Sequence, residues 1–202
     1  MIDAINNESS EGGNGSAVHL TVTVRDAEGR IVSEECKDND LYLLNWGALI
    51  AGVLKEAIST SYAQRFKGHD LNGDSYTTGG GFWGSPDNSQ EDGGGWDNTG
   101  RIQFGVSSTP PTIYDFALGN YTAEVQPNAP VILNDGNTIK IVFTGTLSFE
   151  NSITLSEVAY KVKEPHARVY CILTRDIFTP VTVPAGGSIT VQFEYWLNGM
   201  PS

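Results

Sequence analysis

Basic side chains are scarce in this sequence of 202 residues, where 12 Lys and Arg stand against 24 Asp and Glu for a net charge of −12. Nucleic acids and anionic membrane surfaces are bound through positive charge, so neither is an expected partner. Long apolar runs are also missing, since none approaches the roughly 20 residues that a membrane-spanning helix needs. These two deficits exclude several classes of partner, but they do not by themselves indicate a function.

Cysteine is nearly absent, because Cys36 and Cys171 are the only two. Two cysteines cannot build the disulfide framework of a small secreted domain, and we expect two reduced, buried thiols rather than one bridge. The first residues show neither the basic nor the apolar segment of a secretory leader. We therefore expect the chain to be made in the cytoplasm, without export.

Acidic residues and glycines are concentrated in two stretches that contain no Lys or Arg. Residues 1–16 carry three acids and residues 68–100 carry six, which is −9 of the net −12. The second stretch also holds 10 of the 23 glycines. We divide the chain into a polar N-terminal arm, 1–16, and one domain, 17–202, with a long insertion at 68–100. Loops of this length are uncommon, and its aromatic residues indicate ordering against the body or a neighbouring subunit.

Period-two alternation of apolar and polar residues dominates the rest of the chain. We expect strands over 17–25, 30–34, 101–106, 138–147, 153–162, 167–174 and 188–197. Only 40–58 has helical spacing, and its apolar residues surround much of the helix, which is typical of burial on more than one side. The sequence predicts a mainly β protein: an antiparallel β-sandwich of jelly-roll type with one N-terminal helix and a Gly-rich acidic insertion.

The segment 153–162 changes the parity of its apolar positions. They are odd-numbered up to Leu155 and even-numbered from Val158 onward. A strand changes parity by inserting a residue, so we expect a β-bulge near Ser156 and Glu157. Without a bulge, Glu157 would share a face with Leu155 and be buried.

Three stretches of the second half carry a resemblance. They run from Phe104 to Leu118, from Ile153 to Val158, and from Leu173 to Val191. Within them, Thr112 and Asp115 have the spacing of a capping box, and Arg175 and Asp176 end a predicted strand, where they could pair with other chain ends. In this order the stretches resemble a loosely defined group of β-rich structural proteins of tailed phages and archaeal viruses. The helix that starts near Asp40 is similar to that group's N-terminal half, whereas the insertion has no counterpart there.

This resemblance implies a non-enzymatic virion structural protein: a head decoration, turret, fibre, tail or minor coat component of the capsid or tail. It also implies a homo-oligomer that contacts other virion proteins and assembles in the host cytoplasm. The residues themselves agree with the absence of enzymatic activity. The sequence contains no nucleophile elbow and no phosphate-binding loop, and no His lies at metal-ligand spacing from another His or Cys.

Asp70, Asn72 and Asp74 alternate like the first three ligands of a calcium loop. The calcium loop requires an acid at its twelfth position, which here is Gly81. A Ca²⁺ site would thus need acids from elsewhere, and the alternative is an ordinary polar turn. No other cofactor is expected.

Large aromatic residues mark a candidate binding surface. They are Trp46 in the predicted helix and Tyr76, Phe82, Trp83 and Trp96 in the insertion. Trp and Tyr are typical anchors of subunit interfaces, which is the interpretation we prefer. The alternative is a carbohydrate-binding or adhesin module that uses the 68–100 loop, with aromatic faces stacking on sugars.

Overall fold

The computed structural model describes residues 18–38, 67–77, 100–134, 139–163 and 170–196, and every regular element in these ranges is a strand. The strands are β1 (Val18–Arg25), β2 (Ile31–Asp38), β3 (Lys67–His69), β4 (Ser75–Thr77), β5 (Arg101–Gly105), β6 (Tyr121–Val125), β7 (Val131–Asn134), β8 (Ile139–Ser148), β9 (Ile153–Lys163), β10 (Tyr170–Val183) and β11 (Ser188–Trp196). The prediction of a mainly β protein is confirmed. The predicted arm 1–16, the helix 40–58 and residues 78–99 of the insertion lie outside the described residues. In the described ranges no helix is long and apolar enough to span a membrane.

Two antiparallel sheets contain all the described strands except the β3–β4 hairpin. The first sheet has the order β2-β1-β11-β8-β7, and the second has the order β10-β9-β5-β6. Strands that follow one another pair as hairpins within one sheet, as β1 with β2 and β9 with β10. The chain then moves to the other sheet, and the last strand, β11, returns to pair with β1.

One hydrophobic cluster draws side chains from both sheets. The predicted alternation of β1 is confirmed, because Val18, Leu20, Val22 and Val24 are all buried in this cluster. Aromatic rings connect the sheets: Phe143 of β8 and Tyr160 of β9 have centroids 4.7 Å apart. Such tilted ring pairs add to the stabilisation from burial alone.

An irregularity lies where the sequence predicted a bulge in β9, but the extra residues belong to the neighbouring strand β10 and not to β9. Pairing between β9 and β10 includes Ile177↔Glu157 and resumes at Val181↔Leu155, so residues 178–180 of β10 face Ser156 alone. Leu155 and Val158 both belong to the main cluster, which is the change of parity that the sequence predicted. The expectation that a bulge would keep Glu157 out of the interior was wrong, because Glu157 is 0% exposed.

The outer face of the second sheet is covered by two connecting segments. Ala159 and Ile172 form a small second cluster there, against which Leu71 and Leu118 pack. Leu71 lies between β3 and β4, at the beginning of the predicted insertion, and its amide donates to the Tyr170 carbonyl at 3.1 Å. The start of the insertion therefore packs on the body of the same chain.

Candidate functional site

A buried carboxylate lies at the centre of the polar part of the second sheet. Glu157 Oε1 accepts a hydrogen bond from Arg175 Nε of the adjacent strand at 2.6 Å. The backbone amide of Gly119 donates to the same oxygen at 2.8 Å, and that of Asn120 donates to Oε2 at 3.4 Å. A buried charge is tolerated only when it is paired and hydrogen-bonded, and these contacts meet that requirement.

Arg175 connects this carboxylate to the segment between β5 and β6. Its Nη1 donates to Asp115 Oδ2 at 2.6 Å. Its Nη2 donates to Ser107 Oγ at 3.3 Å and to the Thr109 carbonyl at 3.2 Å. The planar guanidinium thus places its donors on two carboxylates and on two further points of the segment, a geometry that Lys could not reproduce.

Residues 106–120, which we call the clasped loop, are further fixed by their own contacts. The Thr112 amide and hydroxyl each donate to the Asp115 carboxylate at 2.9 Å. The Ser107 amide donates to Ser156 Oγ, which donates in turn to the Ser107 carbonyl, both at 3.0 Å. The predicted relation between Thr112 and Asp115 is confirmed as a contact, and Asp115 also bonds to Arg175.

Close approach of backbone to Glu157 requires a glycine beside it. A Cβ added at Gly105 would lie 2.5 Å from the Asn120 carbonyl oxygen and 2.7 Å from Glu157 Oε2. Both distances are far below van der Waals contact, so any side chain there would push the carboxylate or the loop away. Gly105 is therefore needed beside the group of Glu157, Arg175 and Asp115, which we call the clasp.

The clasped loop presents apolar side chains outward. Tyr114 is 70% exposed, and Ile113 and Phe116 are exposed as well. The Phe116 ring lies against Gly73 of the β3–β4 turn, where an added Cβ would meet it at 3.1 Å. The charges below the loop are used on one another and on its backbone, so this region can display a rigid surface.

A second exposed apolar surface lies at β7, the strand at one edge of the first sheet. Val131, Ile132 and Leu133 are each exposed, and Ile132 is 67% exposed. Ile132 pairs with Ile141, whose side chain packs on the main cluster, so Ile132 points to the face that the second sheet covers elsewhere. The second sheet has four strands against five, and its end strand β6 contacts β8 of the first sheet.

The opposite end of the first sheet is tied down by polar contacts. Lys37 of β2 donates to the carboxylate of Asp176, at 3.4 Å from Oδ2, and to the Ile177 carbonyl of β10. Glu35 of β2 accepts from the Thr179 amide at 3.0 Å. Asp176 thus pairs with another strand, but from the middle of β10 rather than from the strand end that the sequence predicted. Arg175 points to the other side of the same strand. The edge strand β2 is fastened to the second sheet.

Glu124 lies in β6, the end strand of the second sheet, and forms an ion pair there. It accepts from Lys161 Nζ at 2.6 Å and from Gln103 Nε2 at 3.0 Å. Partial burial acts to raise the pKa of Glu124, but the bonds from Lys161 and Gln103 outweigh it and hold the pKa below its ordinary value. The carboxylate is therefore stabilised in its charged form by folding.

The candidate calcium residues form a tight turn between β3 and β4. Asp70 Oδ1 accepts from the amides of Asn72 and Asp74 at 2.8 and 2.9 Å, and Gly73 has a φ of 83°. This is the geometry of the polar turn that was the alternative. In the ranges that the structure describes, no three His, Cys, Asp or Glu side chains are grouped so that they could hold a metal ion. A Ca²⁺ site would need acids from residues 78–99 and stays a prediction.

Most of the candidate aromatic anchors lie outside the described residues, namely Trp46, Phe82, Trp83 and Trp96, and of Tyr76 only the backbone, in β4, is described. Their role stays a prediction. Neither of the two cysteines forms a disulfide: Cys171 is buried as expected, whereas Cys36 is exposed. The expectation of burial was wrong for Cys36 because it lies opposite Thr21, on the outer face of the first sheet.

The three stretches that carried the resemblance meet at the clasp. Ser107, Thr109 and Asp115 come from the first stretch, Glu157 from the second and Arg175 from the third. Sequence analysis did not predict that Glu157 and Arg175 would pair. The signal for it was the charged residue within an apolar strand, followed 18 residues later by an arginine on the next strand.

Compared with family models, with curated proteins and with solved structures, the chain gives no match in any of the three. The function must therefore be inferred from the surfaces and contacts of the chain itself.

Proposed function

We propose that this protein is a non-enzymatic structural component of a virion that self-associates during assembly in the host cytoplasm. The observation that carries the proposal is the exposed apolar strand β7 at the end of the first sheet. Exposed strand edges with apolar side chains attract further strands, and monomeric proteins usually block them with charge, proline or a covering segment. An edge of this kind is expected in a protein that completes its sheet by association.

The assignment to a virion is supported by the resemblance and by what its residues do. The three resembling stretches are far apart in the sequence but form one buried cluster that fixes the clasped loop. A pattern that recurs because it builds one scaffold is expected of a structural protein, in which rigidity of a displayed loop is the requirement. The net charge of −12 also limits adhesion to a packaged genome.

We propose further that the fold is a β-sandwich of jelly-roll type. The two antiparallel sheets with one shared hydrophobic cluster support a sandwich. The chain moves repeatedly between the sheets, and its first and last described strands, β1 and β11, are neighbours. Both features support the jelly-roll arrangement. The features that fit it least are the consecutive strands paired within one sheet, namely β1–β2, β5–β6, β7–β8 and β9–β10.

Two measurements test the proposed function. Sedimentation velocity on the full chain should show a concentration-dependent oligomer, and mass spectrometry of particles purified from the virus that encodes it should find the chain in many copies. A chain that is monomeric at all concentrations and absent from particles would contradict the proposal. A monomer that binds immobilised glycans would instead favour the carbohydrate-binding module with the 68–100 loop.

A further inference from the structure

We infer that β7 pairs antiparallel with the β7 strand of a second copy, around a two-fold axis at Ile132, so that two first sheets become one continuous sheet. This inference rests on the proposed self-association and assigns the surface that performs it. In this arrangement Ile132 faces the partner's Ile132, and Val131 faces the partner's Leu133. The contact is isologous, as in most two-fold dimers.

The chemistry of an edge strand determines what kind of group can bind to it. Every second residue of such a strand directs its backbone N–H and C=O groups away from its own sheet, and another extended strand satisfies them in register. In the part of the chain that the structure describes, β7 pairs with β8 and no strand follows it in the sheet order. The occupant that fits is therefore a β-strand with apolar side chains.

Charge indicates a second copy as the source of that strand. Of the net charge of −12, −9 lies in residues 1–16 and 68–100, so two copies repel each other chiefly through those two stretches. The strand Val131–Asn134 contains no charged residue, so it can meet itself without opposing like charges. Directly opposed apolar and β-branched side chains stabilise an antiparallel pair, and the two-fold arrangement opposes only such residues in Val131, Ile132 and Leu133.

The same argument excludes the other end of the first sheet as the self-pairing edge. The strand β2 carries Glu34, Glu35 and Lys37. Glu35 and Lys37 are already used in contacts with β10. Charged residues on an edge strand are a known protection against edge-to-edge association. Pairing is thus directed to one end of the sheet, which gives a closed dimer rather than an open filament.

The length of β7 limits the strength of this contact. A pair of four-residue strands covers much less than the roughly 800 Å² per partner of a standard stable interface. We therefore expect a dimer in solution that dissociates on dilution. In a larger assembly the same contact would be one of several that act together.

Site-specific cross-linking tests the register. The variant Ile132→Cys is made in a Cys36→Ser background, because Cys36 is the exposed native thiol. Directly opposed residues of antiparallel strands have Cα atoms about 4.5–5.5 Å apart, within the range of about 4.4–6.8 Å found in disulfides. Mild oxidation should therefore give a covalent dimer on a non-reducing gel. Val131→Cys in the same background is the matched control, because the two introduced thiols would lie diagonally at about 7–8 Å and should not link.

A charge-insertion pair tests the contact without oxidation. Ile132→Lys should weaken dimerisation at least about tenfold in sedimentation equilibrium, since two lysines would face each other. Val32→Lys places the same charge on the exposed Val32 of β2 and should leave the dimer unchanged. Circular dichroism of both variants should match that of the unmodified chain.

The outcomes separate the inference from the proposed function. A covalent dimer at residue 132 with none at residue 131 supports the two-fold pairing. An oligomer that neither links at residue 132 nor responds to Ile132→Lys overturns the pairing and leaves the proposed self-association intact. A chain that is monomeric under all conditions overturns both. Equal yields of disulfide-linked dimer from Ile132→Cys and Val131→Cys would overturn the proposed register. They would show that the thiols react in random encounters and not in a fixed strand pair.

Discussion

At one end of the first sheet β2 is fastened to β10 by Lys37 and Glu35, whereas at the other end β7 exposes Val131, Ile132 and Leu133. Both are edge strands of the same sheet, and they differ in what covers their inner face. The charged side chains of β2 reach the second sheet, while the side chain of Ile132 in β7 is 67% exposed. One edge is thus covered within a single chain, and the other is the edge that we propose to pair with a second copy.

This difference shows how charge placement can direct association. A charged edge loses hydration when it is covered, so it resists pairing with another chain. An apolar edge gains free energy from the same covering. In a chain with a net charge of −12, the uncharged strand is therefore the part of the sheet that two copies can share.

The largest expected effect lies in the second sheet, at the buried pair of Glu157 and Arg175 below the clasped loop. Glu157→Gln or Arg175→Met should each lower the free energy of unfolding by about 3–5 kcal/mol, because each leaves the other charged group buried without its partner. Urea denaturation followed by circular dichroism measures this. Glu150→Gln, which changes an exposed acid of the same type, should have no measurable effect and serves as the control.

The double variant extends that test. Because both single changes remove the same contact, Glu157→Gln with Arg175→Met should cost clearly less than the sum of the two single changes. Additive costs would show that the two side chains act separately and that the clasp is not one unit. A single-variant cost below about 1 kcal/mol would contradict burial of the pair.

Local patterns predicted the strands whose side chains alternate between core and surface. The alternation in β1 and β11 indicated the buried face, since each of these strands has one face in the main cluster. The strands β3, β4, β6 and β7 were missed. All four residues of β7 are exposed, so they carry no alternation.

The end of β10 was also missed, for a different reason. The prediction placed the end of that strand at residue 174, but β10 continues to Val183. Pro180 lies inside it and would ordinarily exclude a paired strand. The structure accommodates Pro180 in the irregular stretch 178–180, where β10 is out of step with β9. The pairing of Glu157 with Arg175 escaped prediction because it depends on which strands become neighbours, and no local pattern specifies that.

The next effect should come from Lys37, the ionic contact between β2 and β10. Lys37→Met should lower the free energy of unfolding by about 1 kcal/mol, since the amine is partly exposed and water replaces part of its contacts. Arg30→Met removes a more exposed cation that also pairs with acids and should change stability by less than about 0.5 kcal/mol. Equal effects of the two variants would show that β2 is not fastened by this contact.

Glu124, in the end strand β6 of the second sheet, should have a smaller and pH-dependent effect on the free energy of unfolding. Folding lowers the pKa of Glu124 from its ordinary value of 4.5, so its contribution is present above that value and is lost as the pH falls through the folded pKa. Glu124→Gln should thus be less stable than the unmodified chain at pH 7 by less than about 1 kcal/mol. The difference should shrink as the pH falls below 4.5. A difference that is constant from pH 7 to pH 3 would mean that the charge of Glu124 contributes nothing.

The smallest effect on the stability of the isolated chain should come from a substitution in the edge strand β7. Ile132→Thr, measured in dilute protein, should change the free energy of unfolding by less than about 0.5 kcal/mol, because the side chain is 67% exposed before unfolding. Its register partner provides the matched control: Ile141→Thr removes the same groups from a side chain packed on the main cluster and should cost about 1–2 kcal/mol. The two positions lie side by side on neighbouring strands, so the ratio of their costs measures how far the core extends toward β7. Equal costs in dilute protein would mean that Ile132 is covered within one chain, and the contrast between the two ends of the sheet would be lost.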